Sequence, residues 1–220
     1  MRVGILGSGL MGGKLGMIFA RAGHEVIFSY ARSPQKLKRV ARTAGGSARH
    51  GTPREAAQSG EVLLLAVHWS RINDVLAQAG DLSGKVVVTC SLPMTEDDTD
   101  LIVTHNSSGA EEFAKRVPQA RVVSAFNTVP SEVLLSVFYE SRRSIRRPSL
   151  VYCGDDRGAK ELAAHLITDA GFNPVDAGAL RTARYTEPFA LLVGELAYAG
   201  TSGPELAYRF ERFDKENQQD

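Results

Sequence analysis

The chain has 220 residues, 43% of them hydrophobic and 23% charged, with a formal net charge of +1. That is enough apolar material for a buried core, and so even a charge balance speaks against a nucleic-acid binder. No apolar run reaches the roughly 18 residues of a membrane span, the glycine-broken start is unlike a signal peptide, and two separate cysteines, Cys90 and Cys153, make neither a disulfide framework nor a zinc site. A cytoplasmic protein with buried, reduced thiols is expected.

In chain order, Arg2–Leu6 reads as a short strand, Gly7–Gly12 as a break, and Leu10–Ala22 as a helix with apolar residues at helical spacing. "EVIFSY" from Glu25 is a second strand, which completes a βαβ unit. Ser33 and Pro34 open a helix to about Ala44, "GGSARHG" holds a short strand, and Thr52 with Glu55 forms a capping box around Pro53. "EVLLLAV" and "KVVVTC" are apolar throughout, as expected of strands covered on both faces, with a helix over Ser70–Ala79 between them.

A polar, irregular stretch follows over Ser91–Ser108. Ser108 and Glu111 cap a helix to about Val117, then "RVVSAF" is a strand and Ser131–Phe138 a short helix. "SRRSIRR" (Ser141–Arg147) is the densest basic run and reads as a solvated loop. "SLVYC" is a strand, Asp155 and Asp156 cap a helix over Arg157–Ala170, and "NPVDAG" is the last strand. Helical patterns cover Ala179 to about Gly200 and Pro204–Phe213, and the last residues read as a frayed tail.

Strands alternating with helices predict a Rossmann-type, doubly wound α/β fold with a mainly parallel sheet and a small C-terminal helical extension. Residues 1–130 would form the nucleotide-binding part. Residues 131–220 would extend the sheet and cover it within the same compact unit.

"VGILGSGLMGGKLG" carries six glycines in fourteen residues. Gly7, Gly9 and Gly12 match G-x-G-x-x-G, and here the motif leaves a strand and opens a helix. Gly7 permits the turn, Gly9 lets a pyrophosphate approach the backbone, and Gly12 lets helix and strand pack closely. The helix N-terminus offers free N–H groups and partial positive charge to phosphates. Gly13 and Gly16 lie inside the helix, where close packing on the sheet is the expected reason, a ligand role for Gly13 remaining open.

An NAD site usually places a carboxylate at the end of the second strand. Here that strand ends "FSYARSPQK", with Ser29, Arg32, Ser33 and Lys36 and no acid before Lys38. A guanidinium and hydroxyls suit a 2′-phosphate that a carboxylate would repel. NADP is therefore expected over NAD.

The chain resembles the F-420-dependent NADP oxidoreductases. The resemblance rests on the glycine turn, the arginine–serine pair after "SYA", "AVHWSRINDVL", "VVSAFNTVPSEVL", "VYCGDD" and "DAGALRTARYTE". It is also similar to the cytosolic domain of six-transmembrane ferric reductases, whose membrane part has no counterpart in this sequence. The resemblance implies hydride transfer between NADPH and a deazaflavin, coenzyme F-420, or a flavin such as FMN or FAD. It places Ser8, Leu10 and Met11 at the pyrophosphate, and Ser29, Arg32 and Ser33 at the 2′-phosphate. Val67 and His68 would border the adenosine or ribose, and Ala125, Asn127 and Thr128 the nicotinamide. Family members commonly carry proline at the position of His68.

Direct hydride transfer needs positioning rather than a catalytic acid or base, so none is assigned. His68 reads equally as a cofactor contact or as a polar cap on a strand end. Glu96, Asp97, Asp98 and Asp100 with His105 read as a solvated loop rather than a metal site, and that loop could serve as a lid over the acceptor. Tyr185, Phe189, Leu192, Val193 and Leu196 form a stripe at helical spacing, expected to be core or else a homodimer contact, with core favoured. The alternatives are a non-catalytic NADP-responsive sensor, or a reductase of another small acceptor such as a ferric chelate or an imine. An imine or hydroxyacid reductase would need a large helical substrate domain that the forty-odd residues after the last strand cannot build.

Overall fold

The computed structural model describes residues 1–143, 146–201 and 203–213. Eight strands form one sheet: β1 (Arg2–Leu6), β2 (Glu25–Ser29), β3 (Arg49–His50), β4 (Val62–Leu65), β5 (Val86–Thr89), β6 (Arg121–Ala125), β7 (Ser149–Gly154) and β8 (Asn173–Asp176). Their order is β3-β2-β1-β4-β5-β6-β7-β8. All neighbours are parallel except β6 and β7, which run antiparallel.

The sheet is buried because both faces carry apolar side chains. Val3, Ile5, Val26, Phe28, Leu64 and Val88 point to one face. Leu6, Ile27, Leu63, Leu65 and Val87, the alternate positions, point to the other. The first face is covered by α1 (Leu10–Arg21), α2 (Pro34–Ala44), α6 (Val133–Glu140) and α7 (Arg157–Asp169). The second is covered by α3 (Pro53–Ser59), α4 (Ile72–Ala79), α5 (Gly109–Arg116) and the start of α8 (Ala183–Tyr198).

The caps written into the sequence are formed. Ser33 accepts from the Lys36 amide, Thr52 and Glu55 complete a reciprocal capping box, and Ser108 accepts from the Glu111 amide. Asp156 alone caps α7, while the Asp155 carboxylate accepts from the Leu180 amide.

Three expectations require correction. Pro204–Phe213 is not helical. It has no regular secondary structure, and tertiary hydrogen bonds claim it. The Ser149 amide donates to the Tyr208 carbonyl (2.7 Å), the Phe210 amide to Ser149 Oγ (2.9 Å) and the Val151 amide to the Tyr208 phenol (3.0 Å). The α8 stripe is not core, since Tyr185, Leu192 and Leu196 are 64%, 54% and 62% exposed and only Val193 is buried. Ser70 and Arg71 form a single 3-10 turn with Trp69, and the α-helix starts only at Ile72. Residues 144 and 145 of the basic loop and residues 214–220 of the expected tail lie outside the described residues.

Candidate functional site

The strand order reverses between β1 and β4, and a doubly wound sheet binds ligands in the crevice at that switch point, beyond the strand C-termini. Leu6 is paired with Leu65 there, so the glycine turn after β1 stands beside the residues that follow β4. Gly7 has φ +115°, and a Cβ on it would lie 2.3 Å from the Ala66 carbonyl oxygen and 2.6 Å from Val67 Cγ1. A Cβ on Gly12 would lie 1.9 Å from the Gly7 carbonyl oxygen, and one on Gly16 2.3 Å from the Phe28 ring. Those three glycines are demanded by the fold. Gly9 is different, for a Cβ there meets nothing within 4 Å. Gly13 is also free of close contact, its nearest neighbour being the Ser8 carbonyl oxygen at 3.8 Å.

Gly9 is the N-cap of α1 and supplies no side-chain cap. The amides of Gly9, Leu10, Met11 and Gly12 occupy the turn that helical geometry leaves without an internal acceptor. The first turn holds no acid. Such amides, with open space in front of them at Gly9, can serve as a cradle for an anion.

Ser8 is fully buried and faces away from that cradle. Its amide donates to the Tyr30 carbonyl (2.9 Å) and its hydroxyl to the Ser29 carbonyl (2.9 Å). Ser29 is buried too, its hydroxyl donating to the Ile5 carbonyl at 2.7 Å. Both serines lock β1 to β2, so the Ser8 hydroxyl expected at the pyrophosphate and the Ser29 hydroxyl expected at the 2′-phosphate each spend their proton on a backbone carbonyl. Arg32 is exposed at the lip, Ser33 and Lys36 are half-buried at the start of α2, and the Ser33 hydroxyl keeps its proton free to donate. Tyr30, between them and the turn, has φ +54° and donates its phenol to Asp74 on α4. Burial, and then the Asp74 carboxylate, push that phenol up to about 12.

After β4, Val67 lies against the glycine turn and His68 reaches sideways. His68 Nδ1 accepts from the Ser70 amide (3.3 Å), so Nε2 carries the proton that faces the Thr95 carbonyl (3.3 Å) and Asp98 Oδ1 (3.2 Å). Histidine thus caps the 3-10 turn and tethers the irregular Ser91–Ser108 segment. The segment is pinned over the sheet edge, and Asp98 itself sits at φ +58°.

Between this segment, the α1 N-terminus, the end of β6 and α8 opens a cleft of about 670 Å³. Leu10, Met11, Leu92, Phe126, Asn127 and Val193 are among its walls. Phe126 has φ +65°, rare for a bulky residue. Strain of this kind is held by surrounding packing and collects at functional sites. Here the packing includes the Phe19 ring, 6.1 Å away edge-on. Of the residues expected near a nicotinamide, Asn127 lines the cleft, its amide donating to Ser124 Oγ at 3.2 Å. Ala125 and Thr128 are fully buried, and the Thr128 hydroxyl shares a 2.7 Å hydrogen bond with the Tyr208 phenol. These two shape the wall from behind and do not form it.

Sequence reasoning missed several residues of the cleft. Lys14 Nζ donates to the Ser131 carbonyl (3.0 Å) and hydroxyl (3.2 Å), and Ser131 lines the cleft. Tyr198 donates to Glu132 Oε2 at 2.9 Å. Burial and that carboxylate push the Tyr198 phenol up to about 12. Burial also pushes the Cys90 thiol, in the cleft wall, up to about 12, so it presents no thiolate near neutral pH. Helical periodicity marks such residues only as helix faces, which is why no local signal showed them.

Among the described residues no group of three or more His, Cys, Asp or Glu could hold a metal, and no helix is long and apolar enough to cross a membrane. Both cysteines are free.

Comparison with known proteins agrees with this geometry. Residues 2–93 match the family model described as NADP oxidoreductase, coenzyme F420-dependent. The chain is 32% identical over 190 residues to the rat (Rattus norvegicus) metalloreductase STEAP3, covering 86% of this chain and 36% of that protein, about a third of its length. A proposed F420-dependent NADP reductase from Arthrobacter sp. FB24 superposes with a TM-score of 0.82 at 21% identity, over 96% of this chain and 99% of the other. A hypothetical protein from Sinorhizobium meliloti gives 0.74 at 27% identity, over 96% of each chain. A reductive aminase from Aspergillus terreus, solved with NADPH and ethyl levulinate, gives 0.65 at 17% identity, over 89% of this chain and 61% of that one. The N-terminal part of the chain, residues 2–93, is thus similar to the family of coenzyme F420-dependent NADP oxidoreductases.

Proposed function

We propose that the protein binds NADP(H) across the β1–β4 switch point and passes hydride between it and a flat acceptor of the deazaflavin or flavin type, F-420 being the named candidate, in the cleft beside α8. The observation that carries this reading is the unfilled space at Gly9. It lies at a capless helix N-terminus, next to a largely apolar cleft with room for a second ring.

The residues fit NADP. Amides from Gly9 to Gly12 would hold the pyrophosphate, and Arg32 with Ser33 and Lys36 the 2′-phosphate. Val67 would border the ribose, and Met11 and Asn127 the nicotinamide. When bound, NADPH supplies the hydride. The chain's own part is to fix the two rings face to face and keep water from the apolar walls. The tethered Ser91–Ser108 segment serves as a roof. Neither the Cys90 thiol nor the Tyr198 phenol ionises near neutral pH, in keeping with a reaction that needs no acid or base.

The same reading carries a homodimer, with the exposed α8 stripe of Tyr185, Leu192 and Leu196 as the contact. The test of function is a calorimetric titration with NADPH and NADH, followed by NADPH oxidation with F-420, riboflavin, FMN, FAD and a ferric chelate. Tight NADPH binding with turnover of a flavin-type acceptor is expected. NADPH binding with no turnover of any acceptor would leave a nucleotide-responsive sensor instead. Absence of NADPH binding would remove the proposal.

A further inference from the structure

Charge is unevenly distributed along this chain. Residues 26–54 hold seven lysines and arginines, from Arg32 to Arg54, and no aspartate or glutamate. The whole chain is only +1, so the remainder is net acidic. In the fold this segment is β2, α2, β3 and the first turn of α3, on the side of the sheet next to the glycine turn. All seven cations are exposed except Lys36, which is half-buried. Among the described residues none of the seven is in an ion pair.

Opposing charge close by is scarce. Of the elements packed most closely on α2, helix α1 carries Lys14 and Arg21 and no acid, β3 carries no acid, and β2 carries only Glu25, at the end away from the glycine turn. Across the lip, Asp74 is bonded to the Tyr30 phenol and faced by Arg71. Glu55 is held by Thr52 in its capping box, beside Arg49 and His50. The α2 side of the molecule is therefore its positive pole. Lys38, Arg39 and Arg42 follow the Ser33 cap by five to nine residues, about 8 to 14 Å along the helix axis. They stand back from a phosphate held at Arg32 and Ser33, yet charges are felt over about 10 Å at 0.1 M salt and about 30 Å at 0.01 M.

We propose that the outer face of α2 is a capture surface, on which Lys38, Arg39 and Arg42 draw the nucleotide toward the glycine turn without touching it once it is bound. This rests on the proposed NADP(H) reading and adds how the nucleotide reaches its site. Attraction at long range speeds encounter and leaves escape unaltered, whereas a direct contact acts on the lifetime of the complex. The two roles separate in the kinetics: the three helix cations belong to association and Arg32 to dissociation. NADPH, with one more phosphate than NADH, feels the stronger pull before any contact forms.

The test follows binding of NADPH and NADH to the full chain by stopped-flow quenching of Trp69, the one tryptophan of the sequence. Association of NADPH should slow as salt rises from about 0.01 M to about 0.5 M, more steeply than association of NADH. In the triple variant Lys38→Gln, Arg39→Gln, Arg42→Gln, association of NADPH at low salt should be about fivefold or more slower. Dissociation should be unchanged, and the difference should vanish at high salt. Arg32→Ala should show the complement, faster dissociation. A triple variant that associates as fast as wild type, or whose loss lies in dissociation, would overturn the capture surface and leave nucleotide binding standing. The wild-type salt series needs no variant, and association indifferent to salt would overturn it even if the triple variant folds poorly. No NADPH binding by wild-type protein would remove the parent reading itself.

Discussion

At the residue scale the five glycines of the turn and helix divide by what surrounds them. Gly7, Gly12 and Gly16 have no room for a methyl group, whereas Gly9 has open space. Gly12→Ala should therefore compromise folding, because its Cβ would meet backbone at 1.9 Å. Gly9→Val should fold, losing about 1 kcal/mol at the cap, or about 3 °C in Tm for a chain this size. It should give no detectable heat with NADPH. A Gly9→Val protein that still bound NADPH would show that the cradle lies elsewhere. Arg32→Ala should weaken NADPH about tenfold or more, the worth of one charge-assisted hydrogen bond, and leave NADH unchanged in the same titration. Equal losses for both nucleotides would end the 2′-phosphate assignment. The glycine turn between a strand and a helix was legible because chain-local spacing encodes it. That Ser8 and Ser29 turn inward was not, because a hydroxyl's direction depends on which strand lies alongside it.

At the scale of elements, α8 is fastened to α5 by two charged residues one turn apart. Arg184 makes a bidentate pair with Glu111 at 2.8 and 2.7 Å. Glu187, only 1% exposed, accepts from the Gly109 and Ala110 amides at 2.8 and 2.9 Å. Burial raises the Glu187 carboxyl to about 7 despite those amides, and nearby Glu111 adds to the rise. A raised folded-state pKa means that the folded protein holds this proton more firmly than the unfolded chain does. The stability it contributes is complete below about pH 4.5 and is lost as pH climbs to about 7. The whole swing is at most about 3 kcal/mol. In Glu187→Gln that swing should vanish, so denaturation curves of the two proteins across this range should diverge. Parallel curves would show that Glu187 ionises as it does in the unfolded chain. The strands and capped helices were readable from alternation and from Ser, Thr and Asp at fixed offsets. The Pro204–Phe213 segment was not, since Ala207, Tyr208 and Phe210 suit a helix face as well as the irregular path held by hydrogen bonds to Ser149 and Thr128.

At the scale of the whole molecule, the glycine turn and the cleft open at the same end of one sheet, with α8 as the wall between cleft and solvent. Its inner face supplies Val193 and Glu195 to the cleft, while its outer face shows Tyr185, Leu192 and Leu196. If that outer stripe is the dimer contact, wild-type protein should sediment as a dimer at micromolar concentration, and Leu192→Glu with Leu196→Glu as a monomer. A monomeric wild type would discard the contact. The doubly wound architecture could be foreseen because covered strands read as unbroken apolar runs. The cleft could not, because its walls come from positions as far apart as Met11 and Tyr198 and only the closed fold brings them together.

The Tyr208 phenol has a wider reach than its place near the end of the chain suggests. It is shared between Thr128, just past β6, and the Val151 amide in β7, while its ring sits edge-on to Phe189 of α8 at 5.0 Å. A single side chain therefore ties together three elements beside the cleft. Proteolytic clipping between α8 and Tyr208 would remove that tie and leave the glycine turn untouched, so under the proposed function the shortened protein should keep NADPH binding and lose acceptor turnover.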